Sequence, residues 1–87
     1  MLNSLKIDLG ITTDVYDERL AALLGTAKDM IAREGVEFAD DLTLEDQQLI
    51  TMYAAWMWRN RDSMTGMPRM LRWALNNRIF GEKMKDD

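Results

Sequence analysis

Apolar residues recur three and four positions apart in three stretches of the chain, and Gly, Pro and Thr stand between the stretches. That spacing is the helical period, and it commits the 87 residues to α-helices. The first long stripe is Tyr16, Leu20, Leu23, Leu24, Ala27, Met30 and Ile31. The second, within 44–64, is Leu49, Ile50, Tyr53, Trp56 and Met57. The third, within 68–80, is Leu71, Ala74 and Leu75. Ahead of them, residues 2–9 place Leu2, Leu5 and Leu9 on one side of a short helix that Gly10 ends.

The breaks carry capping chemistry. Thr12-Thr13 offers an N-cap for the second helix, with Asp14, Asp17 and Glu18 where the helix dipole favours acids. Gly35 suits the C′ position after Arg33. Thr43, with Asp46 three residues on, makes an acidic variant of the capping box. Gly66 provides a turn, Pro68 stands at N1 of the last helix, and Gly81 closes it. The expectation is one all-α domain over 1–81, a small bundle of a short N-terminal helix, two long antiparallel helices and a C-terminal helix. The tail, 82–87, is expected to fray. Residues 35–43 form a loop in which Val36 and Phe38 alternate with polar neighbours, compatible with a single strand turn.

Composition removes whole classes of chemistry. There is no cysteine and no histidine, which leaves no thiolate zinc site, redox pair, His-dependent triad or His-ligated metal. The carboxylate groups Asp14/Asp17/Glu18 and Asp40/Asp41 sit at a helix start and in a loop, where structural roles suffice. A calcium loop needs a longer ordered ligand series with a central Gly. No catalytic residue, cofactor or metal is therefore expected. No apolar run approaches the ~20 residues of a membrane span. Asp8 interrupts the opening Met1-Leu2-Asn3-Ser4-Leu5-Lys6 too early for a signal peptide, so a soluble cytosolic product without a membrane partner is expected. Eight methionines point to adaptable packing.

The faces away from the stripes are less ordinary. Trp58 falls among Gln47, Gln48, Thr51, Ala55 and Asp62, and Trp73 with Phe80 lies across from Leu71 and Leu75. Aromatics on non-core faces of a small acidic domain are expected to be buried against something else, here copies of the same chain. A domain this short buries only roughly 60–65% of its unfolded surface, and oligomerisation is a usual remedy. The outer face of the second helix is Ala21, Ala22, Gly25 and Ala32. Gly25 costs roughly 1 kcal/mol against Ala in a helix interior. Such a face admits close approach of another backbone; equally, surface alanines are good helix formers. Asn60 lies within the apolar stripe and needs a hydrogen-bond partner.

The net charge of −4 conceals an asymmetry. Up to Trp58, eleven acids face four bases; from Arg59 on, seven bases face four acids. Either the halves neutralise each other within one fold, or the subunit is dipolar and meets a neighbour's opposite face. A third reading gives the basic half to nucleic acid. The 35–43 connection is too long for a helix-turn-helix, while the Gly66–Pro68 turn is short enough, with Arg69, Arg72 and Arg78 available to phosphates. The overall acidity opposes that reading.

Three segments carry a resemblance. The opening Leu5-Lys6-Ile7-Asp8-Leu9-Gly10-Ile11-Thr12-Thr13-Asp14-Val15-Tyr16-Asp17-Glu18-Arg19-Leu20 resembles the start of the phage head-tail connector (head-completion adaptor) family: a short helix, an "LGIT" turn, an acidic pair and a long helix. Tyr53-Ala54-Ala55-Trp56-Met57-Trp58-Arg59-Asn60-Arg61-Asp62 resembles the family's third helix, with an aromatic before an N-R-D/E element. Met67-Pro68-Arg69-Met70-Leu71 through Asn77-Arg78-Ile79-Phe80-Gly81 resembles its "Pro, helix, L-R-x-x-G" ending. Asn76-Asn77-Arg78 departs from the more usual Gln-Leu-Arg, and the 35–43 connection is short.

The resemblance implies a structural, non-enzymatic subunit that forms an oligomeric ring at the portal of a tailed phage or prophage. It would reside at the virion head-tail interface, and in the bacterial cytoplasm before assembly. Its implied partners are itself, the portal protein and other head-tail joining proteins, with DNA passing through without specific binding. A ring is a head-to-tail assembly, so each subunit needs two different complementary faces. The candidate interface residues are Asp14, Glu18, Gly25, Trp58, Arg69, Arg72, Trp73 and Phe80, with Arg69 and Arg72 as partners for a neighbour's Asp14 and Glu18. The alternative is a small helical DNA-binding regulatory or packaging protein; a plain helical adaptor is a third class. On the chemistry above, divalent ions should leave the melting temperature unchanged. A shift of several degrees, abolished in Asp40→Asn/Asp41→Asn, would overturn that expectation.

Overall fold

The computed structural model describes residues 1–61 and 66–85. Four helices follow in order: α1 Leu2–Leu9, α2 Asp17–Arg33, α3 Leu44–Arg59 and α4 Arg69–Lys85. The fold is an all-α bundle, and no strand forms among the described residues, including the stretch from Val36 to Phe38. Asp62 of the Trp58 face and Asp86 and Asp87 of the tail lie outside the described residues.

Local chemistry accounts for the helix ends. Gly10 adopts the left-handed conformation (φ 72°) and its N–H bonds the Ile7 carbonyl, closing α1. Gly35 does the same after α2 at φ 114°. Thr43 caps α3 in a complete capping box: its hydroxyl accepts from the Asp46 N–H at 3.1 Å, and the Asp46 carboxylate accepts from the Thr43 N–H at 3.3 Å. Asn60 closes α3 and donates its amide to the Trp56 carbonyl at 2.9 Å, which meets its need for a partner.

Two boundaries differ from the sequence expectation. The Thr13 hydroxyl accepts from the Val15 N–H at 2.9 Å, so Thr12-Thr13 shapes a turn, and α2 starts after Tyr16. Asp17 and Glu18 then fall in its first turn, where the dipole favours them. At the other end, α4 runs through Gly81 to Lys85. Glu82 bonds Arg78 one turn back at 3.0 Å, and that pair carries the helix past the glycine.

Helix α3 is the hub. Tyr16, at the entry to α2, meets Trp58, in the last turn of α3, with ring centroids 5.6 Å apart, so the two helices run antiparallel. Helix α1 lies along α3 in the same direction, with Met1 toward Leu44 and Asp8 against Arg59. Helix α4 runs back along α3, with Met70 and Leu71 near Trp56 and Arg78 at Asp46. The core is Leu5, Leu20, Leu24, Ala27, Ile31, Val36, Leu49, Ile50, Tyr53, Ala54, Ala55, Leu71 and Leu75. A helix covered by three others buries a wider arc than a single stripe. Ala54 and Ala55 are therefore buried, whereas Trp56 and Met57 are only half-buried and Trp56 packs edge-on against Tyr53. Leu23 is half-buried, and Tyr16 and Met30 are exposed.

One buried charge fixes α4. Asp46 is 3% exposed and forms an ion pair with the Arg78 guanidinium. Arg78 also donates to the Glu37 carbonyl at 3.2 Å, pairs with Glu82, and lies 5.7 Å from the centre of the Phe38 ring. One side chain thus ties α4 to the start of α3 and to the 35–43 loop. Burial pushes the Asp46 carboxyl up, but the hydrogen bonds from Arg78 and from Thr43 outweigh it and hold it below the ordinary value of 3.8. A depressed folded value means the stabilisation is present above the unfolded value and is lost as pH falls through the folded one.

Two predictions follow from this packing. Ile50→Ala or Leu20→Ala should cost about 2–5 kcal/mol in denaturant unfolding, and Leu23→Ala less than either. Equal losses at buried and half-buried positions would mean the buried faces are misassigned. Asp46→Asn should cost about 3 kcal/mol near neutral pH, as breaking a buried pair does. It should also flatten the acid limb of the stability curve. Titration of unfolding midpoints between pH 2 and 7 reads both; an unchanged acid limb in the variant would remove Asp46 from this role.

Candidate functional site

With Leu71, Leu75 and Arg78 turned inward, α4 has only one way to face outward. Met70, Trp73, Asn77, Phe80 and Met84 are spaced 3, 4, 3 and 4 apart and share its outer side. The four apolar members are 72%, 65%, 65% and 61% exposed. The sequence reading named Trp73 and Phe80 and missed Met70 and Met84. The signal was the heptad spacing, which became readable only once the inward side was known. Two largely exposed aromatics and two methionines on one side of α4, with only Asn77 among them polar, are an unusual amount of apolar side chain for a subunit this small to leave in water.

Trp58 requires a correction. It is half-buried against the core, its ring meets Tyr16 edge-on, and the Arg61 guanidinium stacks 4.2 Å from its centre. A helical wheel of α3 alone leaves that side polar; the entry turn of α2 closes over it. Asp14 and Arg72, expected to meet a neighbour, each also find a partner inside the chain while their side chains stay exposed. Asp14 and Asp17 hold the Lys6 ammonium at 3.0 and 2.8 Å, and their hydrogen bonds, Asp17's first, raise its pKa. Arg72 bonds Glu34 at 2.9 Å.

Arg59–Asp8, Arg72–Glu34 and Arg78–Asp46 join the basic half to the acidic half. Much of the charge asymmetry is therefore spent within the fold. Glu18 and Arg69 stay exposed and form no ion pair among the described residues. Gly25 is exposed on α2, and a Cβ placed there would meet nothing within 4 Å.

A second surface, absent from the sequence reading, lies along α3 between α1 and α4. Gln48 and Met52 form its floor, Met1 and Ser4 line the α1 side, and Trp73 and Ala74 line the α4 side. At the far end of α3 the lining passes to Arg59, Pro68 and Met70. The depression is continuous with the α4 stripe through Trp73 and Met70. It is lined by thioethers, amides and an indole together with the charged side chains of Asp8, Glu45, Arg59 and Arg78.

Among the described residues, no group of three or more acidic side chains is gathered in the manner of a metal site. No helix among them is long and apolar enough to cross a membrane. Comparison of the chain with known protein families, with curated proteins and with solved structures finds no match in any of the three.

Proposed function

We propose that this chain is a structural assembly subunit that forms the oligomeric ring joining head to tail in a tailed phage or prophage. The observation that carries the reading is the solvent-facing stripe Met70–Trp73–Phe80–Met84 on α4. Interfaces are enriched in such aromatics and methionines, and a small subunit with its own core complete has no internal use for them. The resemblance of three ordered segments to the head-tail connector family supplies the identity of the assembly. The smooth face around Gly25 gives the subunit a second, different surface, as a head-to-tail ring needs. DNA binding draws less support, because Arg72 and Arg78 are engaged by Glu34, Asp46 and Glu82 and only Arg69 of the three is left to a phosphate.

Trp73→Ala should leave the melting temperature within a few degrees of the parent. It should weaken self-association by about 2 kcal/mol or more, the usual effect of truncating a central aromatic anchor. Trp58→Ala should instead lower the melting temperature. Sedimentation over a concentration series, with negative-stain imaging, reads the assembly. A chain that stays monomeric, makes no ring with its phage's portal, and retains duplex DNA in a strongly salt-dependent manner would replace the connector reading with the DNA-binding one.

A further inference from the structure

We infer that the outer face of α2 of one copy seats in the depression along α3 of the next, antiparallel to that α3. The inference deepens the assembly reading and rests on it for the identity of the occupant, a second copy of this chain. Glu18, Gly25 and Ala32 lie seven residues apart and so form one line on the exposed side of α2. Glu45, Met52 and Arg59 form the matching line on the open side of α3, and all three are exposed. Laid antiparallel with Glu18 at Arg59, the two lines put Gly25 over Met52 and Ala32 over Glu45, with Arg33 beside it.

Charge fixes the direction. Glu18 and Arg33 are fifteen residues apart and Glu45 and Arg59 fourteen, about 22 and 21 Å at 1.5 Å per residue. An acid and a base at the ends of one face therefore meet a base and an acid at the ends of the other. The parallel orientation would set Glu18 against Glu45 and Arg33 against Arg59. Glu18, Arg33 and Glu45 form no ion pair among the described residues; Arg59 donates to the Asp8 carbonyl at 2.9 Å and lies 3.6 Å from its carboxylate, and its half-exposed guanidinium leaves further donors to a neighbour's Glu18. Midway, Asp29 comes opposite the Gln48 amide.

Shape agrees with charge. Interaxial distance between packed helices is set by the side chains at the contact. Ala21, Ala22, Gly25 and Ala32 give α2 a low outer face, and the α3 depression is walled by Met1 and Trp73. A low face lets the two helix axes approach more closely than a bulky one would. The two faces lie on different sides of the subunit, because the inner face of α2 is already buried on α3 through Leu20, Leu24, Ala27 and Ile31. The contact is therefore heterologous, and it repeats from copy to copy. Each α3 is then flanked by its own α2 and by a neighbour's, both antiparallel to it.

The chain contains no cysteine, so introduced thiols report contacts without a background. Gly25→Cys and Met52→Cys proteins, mixed under mild oxidation, should cross-link to each other in preference to themselves. The double variant should give a ladder of oligomers or a closed ring. Gly25→Trp should weaken association at least tenfold in sedimentation while the melting temperature holds, since a side chain at that position meets nothing within its own subunit. Glu18→Arg should weaken association in low salt, and Arg59→Glu in the neighbouring copy should restore it.

Preferential Gly25→Cys self-cross-linking would overturn the inference in favour of a two-fold contact. So would wild-type association in Gly25→Trp, or a chain that remains monomeric at every concentration. The two readings fail separately. A ladder from a chain that joins no heads to tails refutes the connector role and leaves the pairing standing. A joining-competent chain without the 25–52 cross-link refutes the pairing alone.

Discussion

The orientation of α4 depends on one carboxylate taken out of water. A buried charge is costly unless it is paired and hydrogen-bonded, and Asp46 has both Thr43 and Arg78 to meet that demand. Arg78 in turn is shared with Glu82 and the Glu37 carbonyl, so the pair spans α3, α4 and the loop between α2 and α3. Apart from it, α4 is anchored in the core by Leu71 and Leu75, with Ala74 and Ile79 partly buried beside them. The arginine and the two leucines set the rotation of the helix, and that rotation decides which side chains point outward. The apolar stripe is exposed because the buried leucines and the ion pair together take up the inward side of the helix.

The remaining ion pairs act on the same scale. Lys6 gathers Asp14 and Asp17 to hold α1 against the start of α2. Arg59 donates to the Asp8 carbonyl in the last turn of α1, where a cation also suits the helix dipole. Arg72 reaches Glu34 at the end of α2. Each sits at the surface and contributes little alone. Together they draw acids of the first half and bases of the second into the fold. Among the described residues, the charges that form no ion pair include Glu18 and Arg33 on α2, Glu45 on α3 and Arg69 on α4.

A helical domain of this size covers its own core and little more. Its two unusual surfaces differ in kind: the low face of α2, and the methionine- and tryptophan-walled depression on α3 with the adjoining α4 stripe. Self-complementary patches produce closed two-fold dimers, whereas two different patches produce rings or filaments. On the proposed reading, the geometry of a single subunit already contains the handover from one copy to the next.

The helices themselves were legible from the residues. Period, caps and breaks are local, and Gly10, Gly35, Thr43 and Asn60 act within a few residues of their own position. So were the inward positions of Leu20, Ile50, Leu71 and Leu75, because a helical stripe is a one-dimensional pattern. Whether a residue off the stripe is covered was not legible, since that depends on which other helix lies over it. Trp58 and Ala55 looked outward on a wheel and are covered, while Trp73 and Phe80 looked outward and are bare. Asp46 read as a cap and is also the buried end of a pair 32 residues long in sequence. Asp14 and Arg72 looked free and are not, because ion-pair partners are chosen by distance in space. The sequence by itself determined an all-α chain with four helices and the central inward positions of each, though Tyr16 and Met30 of the first long stripe are exposed and Ala55 is buried. Only the tertiary structure decided which outer faces remained open, because covering a face takes a second element and the angle at which it packs.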